Sequence, residues 1–320
     1  EKQKNGQMLS RITFQHVLKM AILLSTFRTH SFRLNKSILK PLYYNNKQCS
    51  RQFRLSSFHA GKNIDVAMVP CLKDNYAFIL FDSFSGCTAV VDTPDPIPIE
   101  NELKKRGWGL THIFNTHHHE DHTGGNLYLK TAYPACEIIG PTLEKTLIPG
   151  VDVCYHGGDK FIWGESEVQV IDVAGHTKGQ IAYHFPTQKM VFVGDSLFAL
   201  GCGRLFEGSA KQAYDSLQRI SALDEQTKVY CAHEYTESNA RFAETIEGEL
   251  GTNSNPDLTK RIKEVHSLRA QNIPTVPTTV GLEKKTNPFL RIAQVRTALK
   301  LNNNSNEDVF AELRRRKDSF

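Results

Sequence analysis

The chain has 320 residues, 40% hydrophobic and 23% charged, enough for a substantial buried core in one large or two moderate domains. Its net charge of +5 hides an asymmetry: residues 1–64 carry twelve Lys or Arg against one acid, Glu1, while the remainder carries 27 against 33. The globular part is therefore acidic, which argues against nucleic-acid binding.

Residues 1–61 are rich in Arg, Lys, Ser, Leu and Phe and almost free of acids, the composition of an organelle-import segment. The expected destination is the mitochondrial matrix, with plastid and cytoplasm as alternatives. The run Met20–Leu24 is too short to span a bilayer, so no membrane partner is expected. Seven scattered cysteines without a Cys-x-x-Cys pair suggest a reducing compartment rather than a disulfide framework.

From about residue 62 short apolar runs alternate with turn residues. Strands are predicted at Ile64–Pro70, Tyr76–Phe81 and Cys87–Asp92, then a stiff link at Pro94–Pro98 and a helix at Ile99–Arg106 ended by Gly107. Thr111–Asn115 reads as a buried strand and Asn126–Ala132 as a helix. Further strands are predicted at Glu137–Ile139, Glu167–Val173, Ile181–Phe185, Lys189–Gly194 and Lys228–Cys231, with an amphipathic helix at Lys211–Leu223. Beyond Tyr235 the pattern is helical: Glu237–Leu250, Pro256–Ala270, Ile292–Leu301 and Asn306–Asp318, broken at Pro274–Pro277 and Asn287-Pro288. An α/β layered domain over 62–236 and a helical domain over 237–320 are expected.

The densest chemistry lies at the end of the Thr111–Asn115 strand. Thr116-His117-His118-His119-Glu120-Asp121-His122 places four imidazoles and two acids in six residues, the pattern His-x-His-x-Asp-His. Nitrogen donors mixed with a carboxylate at that spacing can begin two adjacent metal sites. Three later strand ends can complete them: Gly175-His176-Thr177, Gly194-Asp195 and Ala232-His233. Each is weak alone, because strand-end His and Asp commonly serve turns; their recurrence at the same kind of terminus makes the set.

In that order these motifs resemble the metallo-β-lactamase superfamily, and within it glyoxalase II, the hydroxyacylglutathione hydrolases, from about Asn63 to the C-terminus. The resemblance implies an αββα sandwich with an added C-terminal helical domain. It implies two divalent ions, zinc foremost with iron or manganese as alternatives, one on His117, His119 and His176 and the other on Asp121, His122 and His233. Asp195 would bridge them, and Asp121 and Asp195 are the acids that catalysis would depend on. The implied substrate is a small-molecule glutathione thioester, S-D-lactoylglutathione as the type case, and the implied state a monomer. Substrate contacts are implied for Arg204 and Phe206 in Gly201–Gly208, for Tyr235, and for Arg314 and Lys317 in Leu313–Asp318. Phe206 stands where some relatives carry Tyr, and Gln180 replaces a second His usual in the family after Gly175-His176-Thr177. A persulfide dioxygenase, which shares the His-x-His-x-Asp-His site but uses one iron, is the alternative reading.

Overall fold

The computed structural model describes residues 64–251 and 255–320; the import-like segment 1–61 lies outside them. Two six-stranded sheets face each other. The first runs in spatial order β1 (Ile64–Cys71), β2 (Asn75–Asp82), β3 (Thr88–Val91), β4 (His112–Phe114), β5 (Glu137–Pro141) and β6 (Val153–Tyr155). The second contains β7 (Lys160–Trp163), β8 (Ser166–Asp172), β9 (Ile181–Phe185), β10 (Met190–Gly194), β13 (Lys228–Cys231) and β14 (Thr278–Thr279), in the order β14-β13-β10-β9-β8-β7. A small hairpin pairs β11 (Leu197–Phe198) with β12 (Gly201–Cys202).

Because strand side chains alternate, both faces of the first sheet are legible in its residues. Tyr76, Phe78, Leu80, Val91, Phe114 and Ile139 point into the core between the sheets, where they meet Val168, Tyr183, Phe185 and Phe192. Their neighbours Ala77, Ile79, Val90, Ile113 and Ile138 form a second core. That core is covered by Ile99 and Leu103 of α1 (Pro96–Arg106) and Leu129 of α3 (Asn126–Ala132), with the short α2 (Glu120–Thr123) between those helices in the chain. On the other side α4 (Ala210–Ser221) packs Leu217 and Ile220 onto the second sheet. The αββα sandwich is thus present.

The chain then continues as helices α5 (Thr236–Gly248), α6 (Pro256–Ala270), α7 (Val280–Thr286), α8 (Ile292–Ala298) and α9 (Asn306–Asp318). Phe242, Phe289, Ile292, Phe310 and Leu313 from this segment join the intersheet core cluster, so the helices share apolar burial with the sandwich. No helix among the described residues is long and apolar enough to cross a membrane.

Most predicted elements occur within a residue or two. Pro94–Pro98 is a correction: the helix starts at Pro96, because the Asp95 side chain caps Ile97 N–H at 3.0 Å and proline suits the first turn. The strands β6 and β7 and the helix α7 were not anticipated, being short and weakly patterned. Among the described residues Cys71, Cys136, Cys154, Cys202 and Cys231 are free thiols.

A buried ion pair holds the helical segment to the hairpin. Glu283 of α7 accepts hydrogen bonds from Leu200 N–H at 2.9 Å, Asn287 Nδ2 at 2.9 Å and the Thr278 hydroxyl at 2.6 Å, and it pairs with Arg261 of α6. Both charged side chains are buried, so deleting one strands the other. Glu283→Ala is expected to destabilise the fold by about 3–5 kcal/mol, measured as a lower denaturant midpoint, and Arg261→Met combined with Glu283→Leu should recover part of that loss.

Candidate metal centre

The predicted ligands meet at one edge of the sandwich. The stretch His117–His122 follows β4; His176, Asp195 and His233 follow β8, β10 and β13. Those last three strands run in the same direction, since β8 and β10 are both antiparallel to β9, and β10 is parallel to β13. Their C-terminal ends therefore share an edge.

Donor atoms converge there. The Nδ1 of His119 lies 3.2 Å from His117 Nε2 and 3.0 Å from His176 Nε2. Asp195 lies 3.4 Å from His122 Nε2, 3.5 Å from His176 Nε2 and 3.4 Å from His233 Nε2. The Asp121 carboxylate is 3.6 Å from His122 Nε2 and 3.4 Å from His233 Nε2. Two trios stand close enough to hold an ion each: His117, His119 and His176, and Asp121, His122 and His233. Asp195 is central to both.

The outer ring nitrogens decide what the inner ones are. His122 Nδ1 is 2.8 Å from the Asp92 carboxylate, His233 Nδ1 is 2.8 Å from Asp74, and His176 Nδ1 is 2.8 Å from the Arg204 carbonyl. All three partners accept only, so each Nδ1 carries the proton. His117 Nδ1 donates to the Thr116 hydroxyl at 3.0 Å, which itself donates to Asp92. In neutral rings so fixed, Nε2 is a lone pair aimed inward. The Nε2 atoms of His122, His176 and His233 thus face the Asp121 and Asp195 carboxylate oxygens at 3.4–3.6 Å. His122 Nε2 and Asp195 Oδ1 are buried without a hydrogen-bond partner. Acceptors crowded together in this way are reconciled by cations, so the residues fit divalent metal.

The electrostatics agree. Burial holds His117 well below its ordinary range, and the surrounding imidazoles push it the same way. Burial opposes charge on His233 as well, but Asp195, Asp121 and Asp74 outweigh it and push that ring up to about 11, so that without metal a proton on Nε2 takes the place a cation would hold. Asp195 is pulled down to about 2, burial being overcome by His233, His122 and His176. The acids at the centre favour positive charge strongly.

Of the predicted substrate contacts, some border this centre. Phe206 is exposed, with its ring edge-on to His119 and His176 at centroid distances of 5.8 and 5.2 Å. Tyr235 stacks on His233 at 4.7 Å and 5°, and burial raises its phenol. Arg204 is exposed beside His176, and its Nε is 3.7 Å from Asp318. Lys317 is half-buried, over the rings of Phe242 and Phe320 at 5.2 Å each. Arg314 differs from expectation. Its side chain is buried, Nη1 donates to the Cys202 carbonyl at 2.7 Å, and Nη2 pairs with Asp318 at 2.9 Å. It holds the Gly201–Gly203 turn rather than presenting a free guanidinium. Gln180 is fully buried and donates to the Val193 carbonyl at 2.9 Å.

Asp74, Asp92 and Asn75 were missed. Asn75 Nδ2 donates to the Asp121 carboxylate at 3.0 Å. Asp92 closes the buried strand Thr88–Val91 with φ at 55°, a strained setting for a non-glycine residue; in the sequence its only mark was an acid directly after an apolar run.

A six-on-six αββα sandwich with this centre on its edge is the architecture of the metallo-β-lactamase superfamily. Residues 76–233 match the family model described as the metallo-beta-lactamase superfamily, and residues 234–320 match the hydroxyacylglutathione hydrolase C-terminus. A hydroxyacylglutathione hydrolase from Rhizobium etli is 48% identical over 261 residues, covering 81% of this chain and 100% of the relative. Another, from Brucella anthropi, is 48% identical over 259 residues, covering 80% of this chain and 97% of the relative. The crystal structure of ETHE1 from Myxococcus xanthus superposes with a TM-score of 0.54 at 23% identity, covering 78% of this chain and 89% of that one, a likeness of fold. The chain belongs to the hydroxyacylglutathione hydrolase family.

Gly203 lies where two ligand loops approach each other. A Cβ there would meet the Asp195 carbonyl oxygen at 1.9 Å and His176 Nδ1 at 3.3 Å. Gly203→Ala is expected to cost about 1–3 kcal/mol through overpacking, read as a lower Tm, together with weaker metal retention in equilibrium dialysis.

Proposed function

We propose that this protein hydrolyses S-(2-hydroxyacyl)glutathione thioesters, S-D-lactoylglutathione above all, to glutathione and D-lactate, a step in disposing of methylglyoxal. The observation that carries the reading is the helical segment behind the metal centre: residues 234–320 match the hydroxyacylglutathione hydrolase C-terminus and place Lys317 among Arg314, Arg241 and Arg204. A dioxygenase working with one iron shares the His-x-His-x-Asp-His stretch, so the donor trios alone do not separate the two readings.

On this reading His117, His119 and His176 would hold one divalent ion and Asp121, His122 and His233 the other, with Asp195 serving both; zinc is the first choice, and the mixed nitrogen and oxygen donors also suit iron or manganese. Such a pair, when bound, supplies a water of lowered pKa and polarises the acyl carbonyl. The protein's own groups do the rest. Asp74, Asp92 and the Arg204 carbonyl keep the rings in the tautomer that presents Nε2 inward. Phe206 and Tyr235 flank the centre and shield it from bulk water. A thiolate leaves readily, so no general acid is required.

The helical segment 237–320 supplies the glutathione side. Lys317 is pushed down to about 8, first by burial and then by the neighbouring cations Arg314, Arg241 and Arg204. So many positive groups around one half-buried lysine favour an anionic ligand such as the glutathione carboxylates. Arg314 acts by holding the Cys202 turn that carries Arg204. The reading extends to location: the acid-poor, basic composition of residues 1–61 supports import into the mitochondrial matrix, testable with a fluorescent fusion of that segment.

The decisive assay sets S-D-lactoylglutathione against glutathione persulfide on purified protein, with metal analysis. Thioester cleavage is expected; oxygen uptake with persulfide and no cleavage would sink the reading. Asp195→Ala should abolish turnover and lower metal content.

Lys317 yields a pH signature. Its folded pKa lies below that of free lysine, so it loses charge as pH rises through about 8. A bound carboxylate restores the proton. KM should therefore climb above about pH 8 in the wild type with kcat little changed, whereas Lys317→Met should show a raised KM without that climb. An unchanged KM in Lys317→Met would remove Lys317 from substrate binding.

A further inference from the structure

Glu144 closes the short turn Thr142–Glu144 that follows β5. It contributes no atom to either donor trio, yet its carboxylate is buried, 2% exposed, at the edge where the ligand loops meet. Each of its oxygens serves a different loop. Oε2 accepts from the His118 backbone N–H and from His118 Nδ1, both at 2.8 Å. Oε1 accepts from the Thr177 hydroxyl and from Gly179 N–H, the latter at 2.9 Å. The first pair of donors lies between His117 and His119; the second follows His176 directly in the chain.

The close approach is built in at Gly179. A Cβ there would meet Glu144 Cγ and Leu143 Cβ, each at 2.8 Å, so the His176 loop seats on this turn only because residue 179 has no side chain. The second trio is held by other groups: Asp92 on His122, Asp74 on His233, and Asn75 on Asp121.

We propose that Glu144 is a positioning residue for one metal of the pair: it locks the His117–His119 loop of the first sheet to the His176 loop of the second, and so sets the affinity of the trio His117, His119 and His176 and not that of the other. This rests on the reading of the two trios as separate metal positions. A carboxylate accepting four hydrogen bonds from protein donors is a rigid joint, because rotating it breaks contacts to both loops at once. Its loss frees His176 to move relative to His117 and His119, whereas the Asp92 and Asp74 contacts stay intact.

The test separates the two positions. His233→Ala leaves His117, His119 and His176 as the complete trio, and His119→Ala leaves Asp121, His122 and His233. Zinc affinity is measured for both proteins by competition with a chromophoric chelator, before and after adding Glu144→Gln, which keeps the bulk but replaces an accepting oxygen with a donor. A loss of about 10–100-fold is expected in the His233→Ala background, and no change in the His119→Ala background. Thr177→Val, which removes one hydroxyl donor and keeps the shape, should show a smaller loss with the same selectivity and serves if Glu144→Gln does not fold. Equal losses in both backgrounds, or none in either, would overturn the role of Glu144 while leaving the metal reading in place. Wild-type protein that binds none of zinc, iron and manganese would overturn the metal reading and this inference with it.

Discussion

Buried acceptors aimed at one another are what the rest of this structure is arranged to tolerate. Imidazole lone pairs and carboxylate oxygens at 3.4–3.6 Å are unfavourable neighbours unless positive charge lies between them. Holding them there requires that none can turn away. The outer ring nitrogens are therefore tied to Asp92, Asp74, Thr116 and a main-chain carbonyl, and the loops that carry them emerge from two rigid sheets. A flexible loop with the same residues would relax by rotating its rings outward to water. The intersheet core of Phe78, Phe114, Tyr183 and Phe192 is thus part of the metal chemistry, because it fixes the separation of the two sheet edges.

The helical segment answers a different electrostatic problem. The metal centre is acidic, while Lys317 sits among Arg314, Arg241 and Arg204. The two fields lie side by side: Arg204 offers its carbonyl to His176 and its guanidinium towards Asp318. One residue thus joins the reacting end to the anion-binding end, and a substrate with an acyl group at one end and carboxylates at the other matches that polarity. The Arg261–Glu283 pair and the shared aromatic core keep the ends in register.

Legibility in the sequence followed the physics of each feature. Strands such as Tyr76–Phe81 and Ile181–Phe185 were readable because burial on one or both faces leaves apolar runs of strand length. The strands Val153–Tyr155 and Lys160–Trp163 are short and half-exposed, so neither run nor alternation marked them. The His-x-His-x-Asp-His stretch stood out because metal ligands of one loop must be close in sequence. Asp74, Asp92 and Glu144 did not, since their partners lie 159, 30 and 26 residues away and a lone acid at a turn has many ordinary uses. Arg314 shows the converse. Its position in a basic helix end marked it as a ligand contact, but three-residue spacing cannot say which of two cations faces inward. Burial under Phe289 and the bond to the Cys202 carbonyl made that choice.

These supporting acids differ from the ligands in how substitution should be felt. A lost ligand removes a bond to the ion, whereas a lost support leaves the donor present but free to wander, weakening the site without abolishing it. Since Asp92, Asp74 and Glu144 touch different rings and loops, they act on separate parts of the centre. Asp92 serves His122 and, through Thr116, His117, so it touches both trios; Asp74 serves only His233, and Glu144 only the loops of His117, His119 and His176. The two halves can therefore be tuned independently by residues that never touch metal, with Asp92 as the one support common to both. The two positions thus differ both in donors, three imidazoles against two imidazoles and a carboxylate, and in which turn or strand end backs each ring.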